Sequence, residues 1–373
     1  MNIFRKIKAY AEYLFALGAF KLMGVLPYRS FASLGRIFGG LLYFIPGFGS
    51  LCRTNIRAAF PEKSEKEIRK IARRSLENLV RTLCEFFWAT AHPQEFAEIV
   101  DLTDCRACAE KGLRMTENGT GAILVTPHLG NWEFAGRVLA QLFQYKMATV
   151  VKTARNPYLD RLISAGRVSG DVRIIHSKGA ARSMKKALDE GYTIGILIDQ
   201  NTRIRNGGVF VNLFGIPVPV SRAPAGLSRS RNRFVAIGTV LRTEGKFKAI
   251  LRELPRPSAE YESDEELIQA LTDITEEFIR MAPDQYLWLY KRFQYIPENV
   301  SPEIRRRYPA YARVPNKRFF SMKAKIEKYK KRSGSGKSRQ IICHDKIYCT
   351  AVLRHSLNSE GGMPFISRKN FAK

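Results

Sequence analysis

The sequence predicts an α/β fold: a mixed, partly parallel sheet flanked by helices, preceded by one or more N-terminal membrane-anchoring helices. Three observations carry that reading. Short apolar runs of strand length alternate with segments of helical period from residue 121 onward. Capping signals open the long helical segments. Two long runs, poor in charge, fill the first 51 residues.

Residues 13–26, YLFALGAFKLMGVL, are apolar apart from Lys21, and residues 31–51 are apolar apart from Arg36 and a few small polar side chains. Neither is a clean uncharged stretch of about 20 residues, so an amphipathic or short anchor is expected, with a pair of buried core helices as the alternative. No small-residue cleavage site follows the first run, which argues against a signal peptide. Arg5, Lys6 and Lys8 favour a cytoplasmic N-terminus. Ser64 and Glu67 form a capping box, and Ile68, Ile71, Leu76, Leu79, Val80, Leu83 and Phe87 follow at helical spacing.

The middle of the chain alternates. Residues 121–127 read as a buried strand, and Asn131 is placed to cap a helix running to Phe143. Residues 148–152 form a strand, 179–190 a helix, and 192–198 a strand ending at Asp199. Short strands are expected at 209–214, 235–241 and 247–254. Ser263 with Glu266 caps a last helix to about Met281. In such sheets active groups gather at the carboxyl ends of strands, where both His128 and Asp199 fall. The expected organisation is an anchor over 1–51, a catalytic domain over 52–297, a basic segment over 298–340 and a tail over 341–373.

Charge narrows the partners. The chain carries 62 Lys and Arg against 34 Asp and Glu, a net of +28. Between Glu303 and Gln340 there are 14 basic residues and 2 Glu, a net of +12. Anionic lipid, nucleic acid or an acidic carrier protein would answer such a charge. No zinc-finger, RNP or arginine–aromatic signature is present, so nucleic acid rests on charge alone and is not expected. Cys105 and Cys108 make a lone CxxC without a second pair, and six cysteines do not form a disulfide framework.

The chemistry concentrates in Thr126–Glu133, TPHLGNWE. A buried strand delivers His128 into a turn at Gly130, and Glu133 falls in the first turn of the next helix. Acyl transfer to a hydroxyl needs an imidazole that takes the proton and a carboxylate on its other ring nitrogen. His128 is therefore the expected base and Glu133 its expected partner. Free N–H groups at the helix start offer a place for developing negative charge. Spacing alone leaves a structural histidine open.

The residues His128–Glu133, HLGNWE, resemble the His-x4-Asp/Glu motif of glycerolipid acyltransferases, and the internal Asn-Trp is similar to the late lipid A acyltransferases, the lauroyl and myristoyl transferases. Arg53–Pro61, Asn156–Arg167, the Ile198-Asp199-Gln200 strand end, Gly208–Gly215 and Pro283–Gln294 resemble further elements of that family, in its order, across about residues 5–297. The resemblance implies helices on a mixed sheet, a site at the cytoplasmic face of the bacterial inner membrane and an acyl carrier protein as donor. It implies a phosphorylated lipid A precursor as acceptor, with neither metal nor cofactor. Carried over by position, His128 and Glu133 are catalytic, and Asn131, Lys152, Arg155, Asn156, Arg167, Asp199 and Arg292 bind substrate. Lys152 stands where the family has arginine, with Arg155 close by, and Tyr290 replaces a histidine. Another glycolipid or a glycerophospholipid acceptor would be served by the same motif. A non-catalytic basic membrane- or nucleic-acid-binding protein would have no need of the His128/Glu133 pair.

Overall fold

The computed structural model describes residues 3–116, 119–151, 156–167, 172–176 and 180–320. The chain divides into two units, 1–324 and 325–373; the second, which contains the end of the expected basic segment and the expected tail, lies outside the described residues.

Four helices open the chain: α1 (Ile3–Val25), α2 (Ser30–Phe44), α3 (Phe48–Ala59) and α4 (Glu65–Ala91). The first three all pack against α4. The α4 capping box forms as expected: the Ser64 hydroxyl accepts from the Glu67 amide, and the Glu67 carboxylate accepts from the Ser64 amide at 2.9 Å. Its apolar stripe buries Ile68, Ile71 and Leu76, but Leu83 is 53% exposed. The second apolar run breaks at Ile45–Gly47 into α2 and α3, with Gly47 at φ +90°. No single helix among the described residues is long and apolar enough to cross a membrane. The α2–α3 pair meets that test only jointly and is bent by 90°.

Then follow α5 (Pro93–Glu98), β1 (Val100–Asp101), α6 (Arg106–Thr116), β2 (Ile123–Thr126), α7 (Trp132–Arg137), β3 (Met147–Val151), α8 (Pro157–Arg167), β4 (Val172–His176), α9 (Ala180–Asp189) and β5 (Thr193–Leu197). The chain continues through β6 (Gly208–Leu213), β7 (Ile216–Ser221), α10 (Ala223–Ser228), β8 (Val235–Arg242), β9 (Phe247–Glu253), α11 (Asp264–Met281), α12 (Pro302–Arg307) and α13 (Lys317–Phe320). Seven strands form one sheet in the order β1-β9-β8-β2-β5-β3-β4, parallel at every pairing except β8–β9. This is the mixed, mostly parallel sheet that the alternation predicts. Along β2, Ile123 and Val125 enter one core cluster and Leu124 the other, so the sheet is buried on both faces.

Two expectations change in detail. The helix after Asn131 has six α-helical residues and then a π turn over Val138–Leu142. The strand at 209–214 is half of a separate antiparallel hairpin, β6–β7, turned by Phe214 and Gly215 at positive φ. Pro217 and Pro219 disguise β7 in the sequence, since a proline cannot donate to a ladder; a two-stranded ribbon, all edge, tolerates them. Arg307 and Tyr308 donate to the carbonyls of Phe214 and Pro217, holding α12 on this hairpin.

Candidate active site

Strands β2 and β5 lie side by side and parallel, with Thr126 opposite Leu197. Their two chains therefore leave the sheet together, and two residues later His128 meets Asp199. The His128 ring nitrogen Nδ1 lies 2.7 Å from Asp199 Oδ1, and the His128 amide donates to Oδ2 at 2.9 Å. Tyr286 is buried, and burial together with the nearby Asp199 charge pushes its hydroxyl pKa well above the usual tyrosine value. The Asp199 carboxylate thus fixes Nδ1 as the protonated nitrogen and leaves the Nε2 lone pair as the acceptor, met only by a long contact from the Gln200 amide. Nε2 borders the open cavity, 3.4 Å from Gln200 Nε2.

Burial alone would push the imidazole pKa down. The Asp199 charge and hydrogen bond, with Glu133 behind them, outweigh burial and raise it above the usual histidine value. Burial would likewise push Asp199 up, but His128 overrides it and the carboxyl is held below its usual range, with help from Arg292.

The turn carrying His128 has no slack. Gly130 sits at φ +62°, and a Cβ there would stand 2.1 Å from the Val240 carbonyl oxygen. The Asn131 amide donates to that same oxygen at 2.8 Å. A left-handed non-glycine residue costs about 1–2 kcal/mol before any clash. Gly130→Ala is thus expected to lower the melting temperature and remove activity together; a variant of wild-type stability and rate would contradict this geometry.

A strap closes the turn from the other side. The Gly130 amide donates to the Gln285 carbonyl at 3.1 Å, and the Leu287 amide to the His128 carbonyl at 3.0 Å. The Tyr290 hydroxyl accepts from the Asn201 amide at 3.0 Å and so steadies the chain after Asp199. Tyr290 thereby has a backbone-anchoring task.

Glu133 is placed differently from expectation. Arg167 grips it with two bonds, Nε to Oε2 at 3.0 Å and Nη2 to Oε1 at 2.6 Å. The carboxylate on the other ring nitrogen of His128 is Asp199, not Glu133. The reason is topological: two adjacent parallel strand ends point at each other, while the first turn of α7 faces the end of α8. Glu133 acts on the imidazole only through its charge.

His128, Trp132, Glu133 and Arg167 line a cavity of about 460 Å³ together with Gln200 and a run of apolar side chains. Leu124, Met147, Val150, Val172 and Ile196 form the apolar part. The cavity has the size and mixed lining of a small-molecule site.

Three other expected binding residues turn inward. Asn131 is buried and does not cap α7; its amide donates to Glu85 at 3.0 Å. Asn156 is buried, caps the start of α8 and donates to the Ala9 carbonyl at 2.8 Å, because the turn before Pro157 packs on α1. Arg292 is buried and donates to Asn201 Oδ1 at 2.7 Å, behind Asp199. Lys152 and Arg155 lie outside the described residues. Tyr286 has no role expected from the sequence; its signal is its place in the Pro283–Gln294 run. Burial pushes the Cys105 thiol up to about 11 and the Cys108 thiol to about 12, the reverse of an activated pair.

A family model described as bacterial lipid A biosynthesis acyltransferase matches residues 2–295. The chain is 26% identical over 292 residues to the lipid A biosynthesis lauroyltransferase of Escherichia coli K12, covering 76% of this chain and 92% of that protein. It is 26% identical over 294 residues to the lipid A biosynthesis palmitoleoyltransferase of the same organism, covering 77% and 92%. It is 23% identical over 289 residues to a lipid A biosynthesis acyltransferase of Haemophilus influenzae, covering 75% and 89%.

Proposed function

The chain belongs to the bacterial lipid A biosynthesis acyltransferases and is an acyltransferase, and from that premise we propose that it moves a fatty acyl chain from an acyl carrier protein thioester to a hydroxyl of a phosphorylated lipid A precursor. The observation that carries the mechanism is the oriented imidazole in the wall of a largely apolar cavity. The acceptor hydroxyl attacks the thioester carbonyl carbon while His128 Nε2 takes its proton. The C–S bond then breaks, and the departing thiolate recovers a proton from the imidazolium. Asp199 holds the tautomer and stabilises the imidazolium. Glu133 keeps Arg167 in the cavity wall, where its guanidinium favours an anionic substrate group.

The apolar lining suits the acyl chain. A Cβ built on Gly195 meets Met147 Cε at 3.8 Å, so this glycine leaves open a narrow part of the cavity. Gly195→Leu is expected to shift preference towards shorter acyl donors, by about tenfold or more for a chain that can no longer extend. Competition between donors of different length measures it, and an unchanged preference would place the chain elsewhere.

The acceptor lies in the inner membrane in this reading, with the site on the cytoplasmic side. Supporting it, large apolar side chains stand exposed on α1 and α2, among them Phe15 at 82%, Val25 at 79% and Phe44 at 79%. The net charge of +28 suits anionic lipid and an acidic carrier. Sedimentation of the full-length chain with membranes tests the placement; recovery wholly in the soluble fraction would contradict it. The acceptor is tested by giving the purified protein an acyl carrier thioester with either a phosphorylated, tetra-acylated glucosamine disaccharide or a lysophospholipid. Acylation of the disaccharide is expected, and acylation of the lysophospholipid alone would overturn the assignment.

A further inference from the structure

We propose that the buried ion pair Glu85–Arg242 is a positioning device for His128, acting through the Gly130–Asn131 turn rather than through substrate. Glu85 on α4 is fully buried, and Arg242 at the end of β8 is nearly so. Arg242 Nε donates to Glu85 Oε1 at 2.9 Å, and its Nη2 reaches Oε2 as well. Neither side chain lines the cavity.

Apart from Arg81, whose Nε lies 3.5 Å from Glu85 Oε1, their remaining hydrogen-bond partners converge on the catalytic turn. Glu85 Oε2 accepts from Asn131 Nδ2 at 3.0 Å. Arg242 donates to Thr82 Oγ1 at 2.8 Å and to Asn78 Oδ1. Asn78 Nδ2 in turn donates to the Gly130 carbonyl at 3.2 Å, and the Thr82 hydroxyl shares its one proton between that oxygen at 3.2 Å and the Asn78 carbonyl at 2.9 Å. Asn78 also donates to the Gln285 carbonyl, and the Gln285 amide side chain pairs with the Arg242 backbone in both directions. The turn and the strap that covers it thus hang from one buried fork. A buried pair of this kind is a poor device for stability, since desolvation offsets most of the attraction. What it supplies is a single geometry: a rigid planar guanidinium makes four bonds, to Glu85, Asn78 and Thr82, and each of these three side chains reaches the turn. Along α4, Asn78, Thr82 and Glu85 occupy one face at spacings of four and three. Without this pair the turn would keep its backbone bonds to Val240, Gln285 and Leu287, but the side chains that hold the Gly130 carbonyl and Asn131 would lose their common anchor.

The inference rests on His128 being the base, and two variants test it. Glu85→Gln removes the charge and half of the fork, and Thr82→Val removes the hydroxyl under Gly130 at equal size. In purified, folded protein, with circular dichroism confirming the fold, kcat is expected to fall tenfold or more in Glu85→Gln and about threefold in Thr82→Val. KM for donor and acceptor should stay within twofold. The acid limb of the rate profile should move to lower pH as the imidazole slips from Asp199. If Glu85→Gln does not fold, Thr82→Val decides alone. Fewer folded molecules with a wild-type kcat and an unmoved profile would reduce the pair to a structural one and overturn the inference. Wild-type rates in His128→Ala would instead remove the base itself, which keeps the two failures apart.

Discussion

Replacing His128 with alanine is expected to lower acyl transfer by about 10²–10⁴-fold while leaving the fold in place. The imidazole supplies the proton acceptor that the attacking hydroxyl needs, and no other described histidine lines the cavity. Its side chain is 14% exposed and it partners the buried Asp199 carboxylate, so the variant should also lose some stability without unfolding. Rate and melting temperature measured on the same preparation separate the two effects. Unaltered turnover in the variant would exclude His128 as the base.

Asp199→Asn is expected to cost a further test of the same geometry, on the order of 10²–10⁴ in rate, because an amide can accept from Nδ1–H but cannot stabilise the imidazolium. The pH dependence gives the sign. The reaction needs neutral imidazole, and Asp199 raises the imidazole pKa. Wild-type activity should therefore be lost, as pH falls, at a higher pH than an ordinary histidine of about 6.5 would give. Removing the carboxylate lowers that pKa, so the acid limb of the weakened variant should move to lower pH. A limb that stays in place would mean that another group titrates. In Glu133→Gln the limb should move less, since Glu133 has no bond to the ring and only its charge is lost.

Much of this fold is legible before any coordinate. The alternation after residue 121, the Ser64 and Ser263 caps and the strand-end positions of His128 and Asp199 all follow from local signals that the tertiary structure respects. What the sequence hides is pairing across the sheet. Nothing local says that β2 and β5 are neighbours, so the nearest carboxylate along the chain, Glu133, outranks the true partner 71 residues away. The buried polar network is hidden for the same reason. Asn78, Thr82 and Glu85 share a face of α4 that periodicity reads as amphipathic, and only Arg242, on a distant strand, makes that face part of the core. Strand β7 is lost to its prolines and β1 to its length of two residues.

Lipid A mass spectra decide the central claim most directly. A strain deleted for this gene is compared with the same strain carrying the wild-type gene, His128→Ala or Asp199→Asn, each expressed to equal levels. The deletion should lack one acyl chain on its lipid A, the wild-type gene should restore that mass, and neither variant should restore it fully. Restoration by His128→Ala, or lipid A of unchanged mass in the deletion strain, would contradict the account.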